Sequence, residues 1–362
     1  MSEIRVDGLH KVFGPNPEDA TRRLRDGSTT PEDLRSEGTT AAVVDANFEV
    51  RQGETFVVMG LSGSGKSTLI RMLNGLLRPT SGHVYVDGHD ITAMSGKELR
   101  SVRQRSISMV FQHFALLPHR TVLDNAAYAL QEQEMPKGER LERAREALSL
   151  VGLEGWEQQY PHQLSGGMRQ RVGLARALAA GTDVLLMDEA FSALDPLIKR
   201  EMQDQLAQLQ AKLGKTIVFI THDLNEAMRL GDRIAVMRSG QIAQIGTAED
   251  IINRPATDYV ARFVQDVDRA RVLTASSAMR NDVPPAANAV SVHPDTPLAE
   301  LFEPLSQSQA GLAVVAHDQR ALGTVTMASV LAVLGGQVAT AEQVDSDPAE
   351  ADLDQEVTTG VV

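Results

Sequence analysis

The apolar positions of this chain fall into short β-prone runs separated by stretches with helical spacing, and that order predicts an α/β fold. Residues 4–13 read as a first strand, and apolar runs return at 41–50 and 55–59, bounded by Gly53 and Gly60. Residues 84–86 followed by Asp87-Gly88 predict a hairpin or turn. Residues 141–151 place Leu141, Ala144, Leu148 and Val151 at a helical period. The runs 184–187 and 216–220 are short and wholly apolar, the kind buried in a mostly parallel sheet. Between them Pro196 suits a first helical turn, and that helix should end before Gly214.

Two stretches interrupt this order. Residues 14–40 are rich in Pro, Gly, Ser, Thr and charge, and predict a loop or short helices rather than core. Composition shifts again near 263–271, where a smaller unit begins, with strands expected at 311–316 and 322–326. Residues 337–362 hold seven acidic residues and no basic one, a composition that predicts disorder. The expected organisation is a domain over 1–265, a second over 270–336 and an acidic tail over 337–362, with no internal repeat.

Composition narrows the function classes. The chain has 362 residues, enough for one large α/β domain plus a smaller one. It carries 48 Asp and Glu against 35 Lys and Arg, and nothing suggests a nucleic-acid-binding face. With no Cys, disulfides, thiolate zinc sites and catalytic thiols are excluded. Residues 1–13 carry charges inside any apolar stretch, unlike a secretory signal. No run approaches the roughly 20 apolar residues of a membrane-spanning helix, so work at a membrane would require a partner.

The strongest chemical signal is G-L-S-G-S-G-K-S at residues 60–67. Glycines let backbone N–H groups converge on phosphates, and the helix that follows presents its positive end to the anion. The strand at 55–59 leads in and a helix over 67–77 is expected to lead out, which is the context the motif needs. Gly60, Leu61, Ser62, Gly63, Ser64, Gly65, Lys66, Ser67 and Thr68 are therefore candidate nucleotide contacts. Lys66 is expected to reach the β- and γ-phosphates, and the Ser67 hydroxyl to hold magnesium.

A second motif, L-S-G-G-M-R-Q-R at 164–171, resembles the signature of ABC-type ATPases. The resemblance spans roughly residues 4–263 and implies a P-loop ABC-type nucleotide-binding domain with a helical subdomain over about 113–170. It implies that Asp188, ending the run V-L-L-M-D, supports magnesium and that Glu189 is the base that polarises the attacking water. It assigns Gln112 to magnesium and water contact, and residues 113–121 to a surface facing a transmembrane partner. His222 resembles the switch histidine at the γ-phosphate, and Asp195 closes an S-A-L-D loop that crosses a dimer interface. Phe13 sits where the family places an aromatic residue on adenine; the alternative is a core Phe at a strand end. Trp156 reads as a packing residue. In this family Ser165, Gly166 and Gly167 close over ATP held by the opposite subunit, so an ATP-bound homodimer is implied.

Further wording narrows the resemblance. The chain has no fused membrane helices, carries a single ATPase unit, and reaches Leu164 only 98 positions after Lys66, too few for a long coiled coil. The insertion at 14–40, F-A-L-L-P-H-R-T-V and M-D-E-A-F-S-A-L-D-P-L-I are similar to the glycine betaine/proline (quaternary amine) uptake subfamily of importers. That resemblance implies integral-membrane permease partners, through them a substrate-binding protein, and a place on the cytoplasmic face of the membrane. Another amine or amino acid as cargo, and a non-transport regulatory ATPase, are the alternatives. Residues 311–334 resemble the second half of a CBS repeat, with a turn at His317-Asp318 and with Ser329 at the usual acidic position. A salt-sensitive contact of the acidic tail is a further expectation, beside a purely solubilising role.

Overall fold

The computed structural model describes residues 3–112, 114–192, 194–286, 289–308, 311–316 and 320–335. The expected tail at 337–362 and the turn at His317-Asp318 lie outside the described residues, as does His113. The chain divides into two compact units, Met1–Val267 and Asp268–Val362.

The first unit holds two sheets. Its strands are β1 (Ile4–Phe13), β2 (Thr40–Val50), β3 (Thr55–Met59), β4 (Ser81–Val86), β5 (His89–Asp90), β6 (Ile107–Val110), β7 (Val184–Asp188), β8 (Thr216–Thr221), β9 (Arg233–Arg238) and β10 (Gln241–Gly246). One sheet has the order β10-β9-β3-β8-β7-β6, parallel except where β10 turns back on β9. Strands β3, β7 and β8 are buried along their whole length, as a parallel sheet covered on both faces requires. The other sheet, β2-β1-β4-β5, is antiparallel, and the sequence did not separate it from the first. Phe56, Val58, Leu69, Ile70, Leu186 and Ile220 belong to a core that both sheets share. The turn between β4 and β5 uses Asp87 (φ 52°) and Gly88 (φ 74°), the paired left-handed conformation of a tight hairpin.

The polar stretch at 14–40 forms two helices, Pro17–Arg25 and Pro31–Ser36. Thr30 and Asp33 make a reciprocal capping box at the second. Leu34, Ala20 and Val12 form a small separate core beneath them, and the Arg23 guanidinium closes onto both Glu37 oxygens at 2.8 and 2.9 Å. The helix after the glycine-rich loop is Lys66–Leu73, four residues shorter than the expected end at 77. Gly75 at φ 65° stops it, and a Cβ there would stand 2.6 Å from Leu99 Cδ1. The helical region contains Val122–Ala126, Tyr128–Glu132, Lys137–Leu150 and Gly166–Ala179, the last two packed on each other. Trp156, expected to pack, is 41% exposed.

The second unit carries a three-stranded sheet of β11 (Ser291–Val292), β12 (Leu312–Val315) and β13 (Ala321–Val325), in that order. Helix Leu298–Gln307 connects the parallel pair β11 and β12, and helix Met327–Gly335 follows β13. The arrangement is β-α-β-β-α around a core of Leu298, Leu301, Leu312, Val314, Val325 and Val330. Its first half, a two-residue strand and a helix containing Pro304, left no legible period in the sequence. Ser329 takes part in a capping box: its Oγ accepts from Thr326 N at 3.0 Å, and its own N–H donates to Thr326 Oγ1 at 3.1 Å. Among the described residues no helix is long and apolar enough to cross a membrane.

Candidate functional site

Four parallel strands bring the candidate residues to one edge of the main sheet. In-register pairs such as Met59 with Thr221, Asp188 with Ile220 and Val110 with Met187 align the carboxyl ends of β3, β8, β7 and β6. From those ends leave the loop at 60–65, His222, the Asp188-Glu189 pair and Gln112. Ligands of open α/β sheets bind at such an edge.

The loop at 60–65 is built for close backbone approach. A Cβ on Gly60 would stand 2.3 Å from the Met237 carbonyl oxygen, and one on Gly65 2.1 Å from that of Ala42. Gly65 also has φ 103° and begins the helix Lys66–Leu73, so only glycine fits there. Lys66 is 4% exposed. Its Nζ donates to the carbonyls of Gly60 at 2.8 Å and Leu61 at 3.1 Å, spanning the loop. Burial lowers its pKa, opposed by the nearby Glu189 and Asp188 charges. The Ser64 hydroxyl, also buried, has no hydrogen-bond partner among the described residues.

Glu189 is the centre of the constellation. Its backbone is left-handed at φ 45°, a strained conformation for a residue with a side chain, fixed by its N–H donating to the Ile220 carbonyl at 3.0 Å. Gln112 Nε2 donates to Glu189 Oε2 at 3.1 Å, and His222 Nδ1 lies 3.3 Å from the same oxygen. Lys66 Nζ stands 3.9 Å from Glu189 Oε1. Beside it, Asp188 is 4% exposed and accepts from Ser67 Oγ at 3.0 Å. Burial raises the Asp188 pKa, against the opposing effect of that hydrogen bond. Ser67, Asp188 and Gln112 thus offer hydroxyl, carboxylate and amide oxygens, hard donors of the kind magnesium takes.

The remaining candidates lie outside this cluster. Ser165 caps the helix Gly166–Ala179, its Oγ accepting from Met168 N at 3.3 Å. A Cβ on Gly167 would meet Ile198 Cγ2 at 2.6 Å. Asp195 caps the helix Pro196–Leu213 through the N–H groups of Leu197 and Ile198. Phe13 is 44% exposed at the end of β1, with Lys11 Nζ 5.1 Å from its ring centroid, so it is not a core residue.

Sequence reasoning missed an ionic latch next to His222. Lys199 Nζ donates to Asp223 Oδ2 at 2.6 Å and to Glu226 Oε1 at 2.7 Å. The buried Glu226 also accepts from Thr221 Oγ1. The D-L-N-E spacing at 223–226 is a helix-start signature and was the available clue. A groove of about 490 Å³ adjoins Gln112 in the chain, lined by Arg103, Phe111, Ala115, Tyr128 and Arg176 among others.

Comparison with known proteins fits this geometry. Residues 43–192 match the family model described as ABC transporter. The chain is 58% identical over 278 residues to a glycine betaine transport ATP-binding protein of Bacillus subtilis, covering 77% of this chain and 66% of that protein. It is 49% identical over 331 residues to a glycine betaine/carnitine transport ATP-binding protein of Listeria monocytogenes, covering 91% of this chain and 82% of that one. A solved ATP-binding cassette, dimeric and bound to ADP and Pi, superposes with a TM-score of 0.58 at 32% identity, over 68% of this chain and 98% of that one. With such identity sustained over most of the length of its relatives, the chain belongs to the ABC transporter family, in the branch of the glycine betaine transport ATP-binding proteins.

Proposed function

We propose that this chain is the ATP-hydrolysing subunit of an importer and that it energises uptake of glycine betaine or a related quaternary-amine solute, in osmoprotection. The observation that carries the ATPase reading is Glu189, held in a left-handed turn between Lys66, Gln112 and His222. The cargo follows from identity of 58% and 49% to ATP-binding proteins of glycine betaine and glycine betaine/carnitine transport.

In this reading Glu189 takes the proton of the attacking water, and Gln112 and His222 orient its carboxylate. Lys66 exchanges the carbonyls of Gly60 and Leu61 for the phosphates, where its charge is needed as the bond to the γ-phosphoryl group breaks. The loop amides and the start of helix Lys66–Leu73 bind the rest of the phosphate chain. Ser67, Asp188 and Gln112 would hold magnesium, which when bound neutralises charge on the phosphates. The exposed Phe13 ring stacks on adenine. Ser165, Gly166, Gly167 and Asp195 complete the site of a second copy in the ATP-bound dimer, as the dimeric cassette of similar fold supports. Binding energy is thereby spent on closing an interface that can do work on a partner.

Permease subunits dock at the groove beside Gln112, where Phe111 and Tyr128 offer apolar surface and Arg103 offers charge. The chain then works peripherally on the cytoplasmic side of the membrane. The β-α-β-β-α unit supports the CBS-like reading of residues 270–336. ATP hydrolysis by the full-length chain with magnesium tests the proposal. Glu189→Gln should lower kcat by about a hundredfold or more, the usual worth of a catalytic base. An unchanged rate would remove Glu189 from the mechanism.

A further inference from the structure

The segment that leaves β6 contains two residues in succession that side-chain-bearing residues rarely tolerate. Phe114 (φ 59°) and Ala115 (φ 46°) both lie in the left-handed region, two and three positions beyond Gln112. A conformation of that kind persists only where its surroundings over-determine it. Here the surroundings are one helix and one buried amide.

The helix is Gly166–Ala179, which the signature motif opens. From it Arg176 sends Nη1 to the Ala115 carbonyl at 2.7 Å and Nη2 to the Phe114 carbonyl at 3.1 Å. One planar fork therefore grips both left-handed residues, a geometry that a lysine could not reproduce. Three residues earlier on the same helix, Gly173 also faces the segment: a Cβ there would lie in ordinary contact, 3.7 Å from the Phe114 oxygen. Further along, the Arg169 guanidinium carbon lies 5.3 Å from the Phe114 ring centroid, and its Nη1 donates to the Leu164 carbonyl at 2.8 Å. At the far end of the segment the wholly buried Asn125 accepts from Leu117 N at 2.8 Å. It donates in turn to the carbonyls of Leu117, Arg120 and Thr121. The strained pair is thus fixed on both sides, and Gln112 projects from its near end onto Glu189.

We infer that Arg176 is a positioning residue for hydrolysis: its fork holds the left-handed Phe114–Ala115 pair so that Gln112 reaches Glu189, and it ties the position of Gln112 to the signature helix. The inference rests on the proposed ATPase reading and deepens it. Burial of the guanidinium, which lowers its pKa, agrees with a cation whose main partners are main-chain carbonyls. Nothing in the motif pattern marks Arg176, because its partners are backbone atoms that any sequence supplies.

The test uses full-length Arg176→Gln, Ala115→Gly and the double variant. Amide exchange over residues 112–117 should rise about tenfold in Arg176→Gln, a readout that needs no catalysis. In the same variant kcat should fall about tenfold while the KM for ATP stays within about twofold, since the phosphate loop is untouched. Adding Ala115→Gly should restore most of kcat, because glycine enters the left-handed region without steric cost. Unchanged exchange would overturn the inference whether or not the chain hydrolyses ATP. A loss of kcat that accompanies a lower melting temperature and resists rescue by glycine would overturn it too, in favour of a packing role. Absence of hydrolysis by the unmutated chain would sink the ATPase reading, and the exchange result would still decide the clamp.

Discussion

Lys199→Met is the most quantitative single test of the latch beside His222. The ammonium lies 2.6 Å from Asp223 Oδ2 and 2.7 Å from Glu226 Oε1, and its side chain is 20% exposed against 3% for Glu226. Removing it leaves a buried carboxylate with only neutral donors, Gln203 Nε2 at 3.3 Å and Thr221 Oγ1. Breaking a fully buried pair costs about 3–5 kcal/mol. With both neutral donors retained and Asp223 partly in water, about 2–3 kcal/mol is expected here. For a unit of this size that lowers Tm by about 4–12 °C. The pH dependence supplies an independent check. Burial alone would raise the Asp223 pKa, but the hydrogen bond and charge of Lys199 and the N–H groups of Glu226 and Asn225 outweigh it and the net shift is downward. A lowered carboxylate stabilises the fold above its ordinary range, and that contribution is lost as pH falls through the lowered value. The penalty of Lys199→Met should therefore shrink in acid. Thermal and urea unfolding of the full-length variants at neutral and acidic pH would measure both, and Lys199→Met with Glu226→Gln should cost at least about 1 kcal/mol less than the two singles summed. A neutral-pH penalty below about 0.5 kcal/mol, or one that does not diminish in acid, would refute the reasoning.

Three further predictions concern the nucleotide site and the second unit. Burial raises the Asp188 pKa, so the native state holds that proton more tightly than the unfolded chain, and the benefit is lost as pH rises through the raised value. Asp188→Asn should accordingly raise Tm at neutral pH, leave it nearly unchanged in acid, and abolish magnesium-dependent hydrolysis; an equal gain at both pH values would contradict the assignment. Phe13→Ala should raise the KM for ATP about tenfold through lost stacking, while Phe13→Tyr leaves it near the original value. An unchanged KM in the alanine variant would exclude the ring from the adenine site. Ser329→Ala should cost the second unit about 1 kcal/mol by removing its capping box, and Ser329→Asp should not, since Asp250 fills the same place opposite Thr247. Calorimetry resolves the two cases.

The candidate residues at the strand ends were legible because their motifs are short and contiguous. The glycines at 60, 63 and 65, the Asp188-Glu189 step and His222 stand in short contiguous motifs next to apolar strands, so the sequence displays them even though Ile220, Met237 and Ala42, which hold them in place, are distant in the chain. Arg176, Asn125 and Lys199 escaped because their partners lie 24 to 62 positions away or are nearby main-chain atoms, which leave no periodic trace. The antiparallel sheet was hidden for a related reason: β1, β2 and β4 read as strands, but nothing local says that they pair with one another rather than with β3. The helix after the phosphate loop ran short because Gly75 turns left-handed against Leu99, a tertiary contact that outweighed the apolar pattern continuing to Leu77. In the second unit a two-residue strand and an internal proline erased the pattern of the first half.

Uptake of labelled glycine betaine addresses the central claim most directly. Cells lacking their own betaine uptake would receive the partner permease genes with this chain or with Glu189→Gln, and uptake would be followed at low and high external osmolarity. The account predicts uptake that rises with osmolarity in cells carrying the intact chain and is lost with Glu189→Gln. Equal uptake with both chains would contradict it.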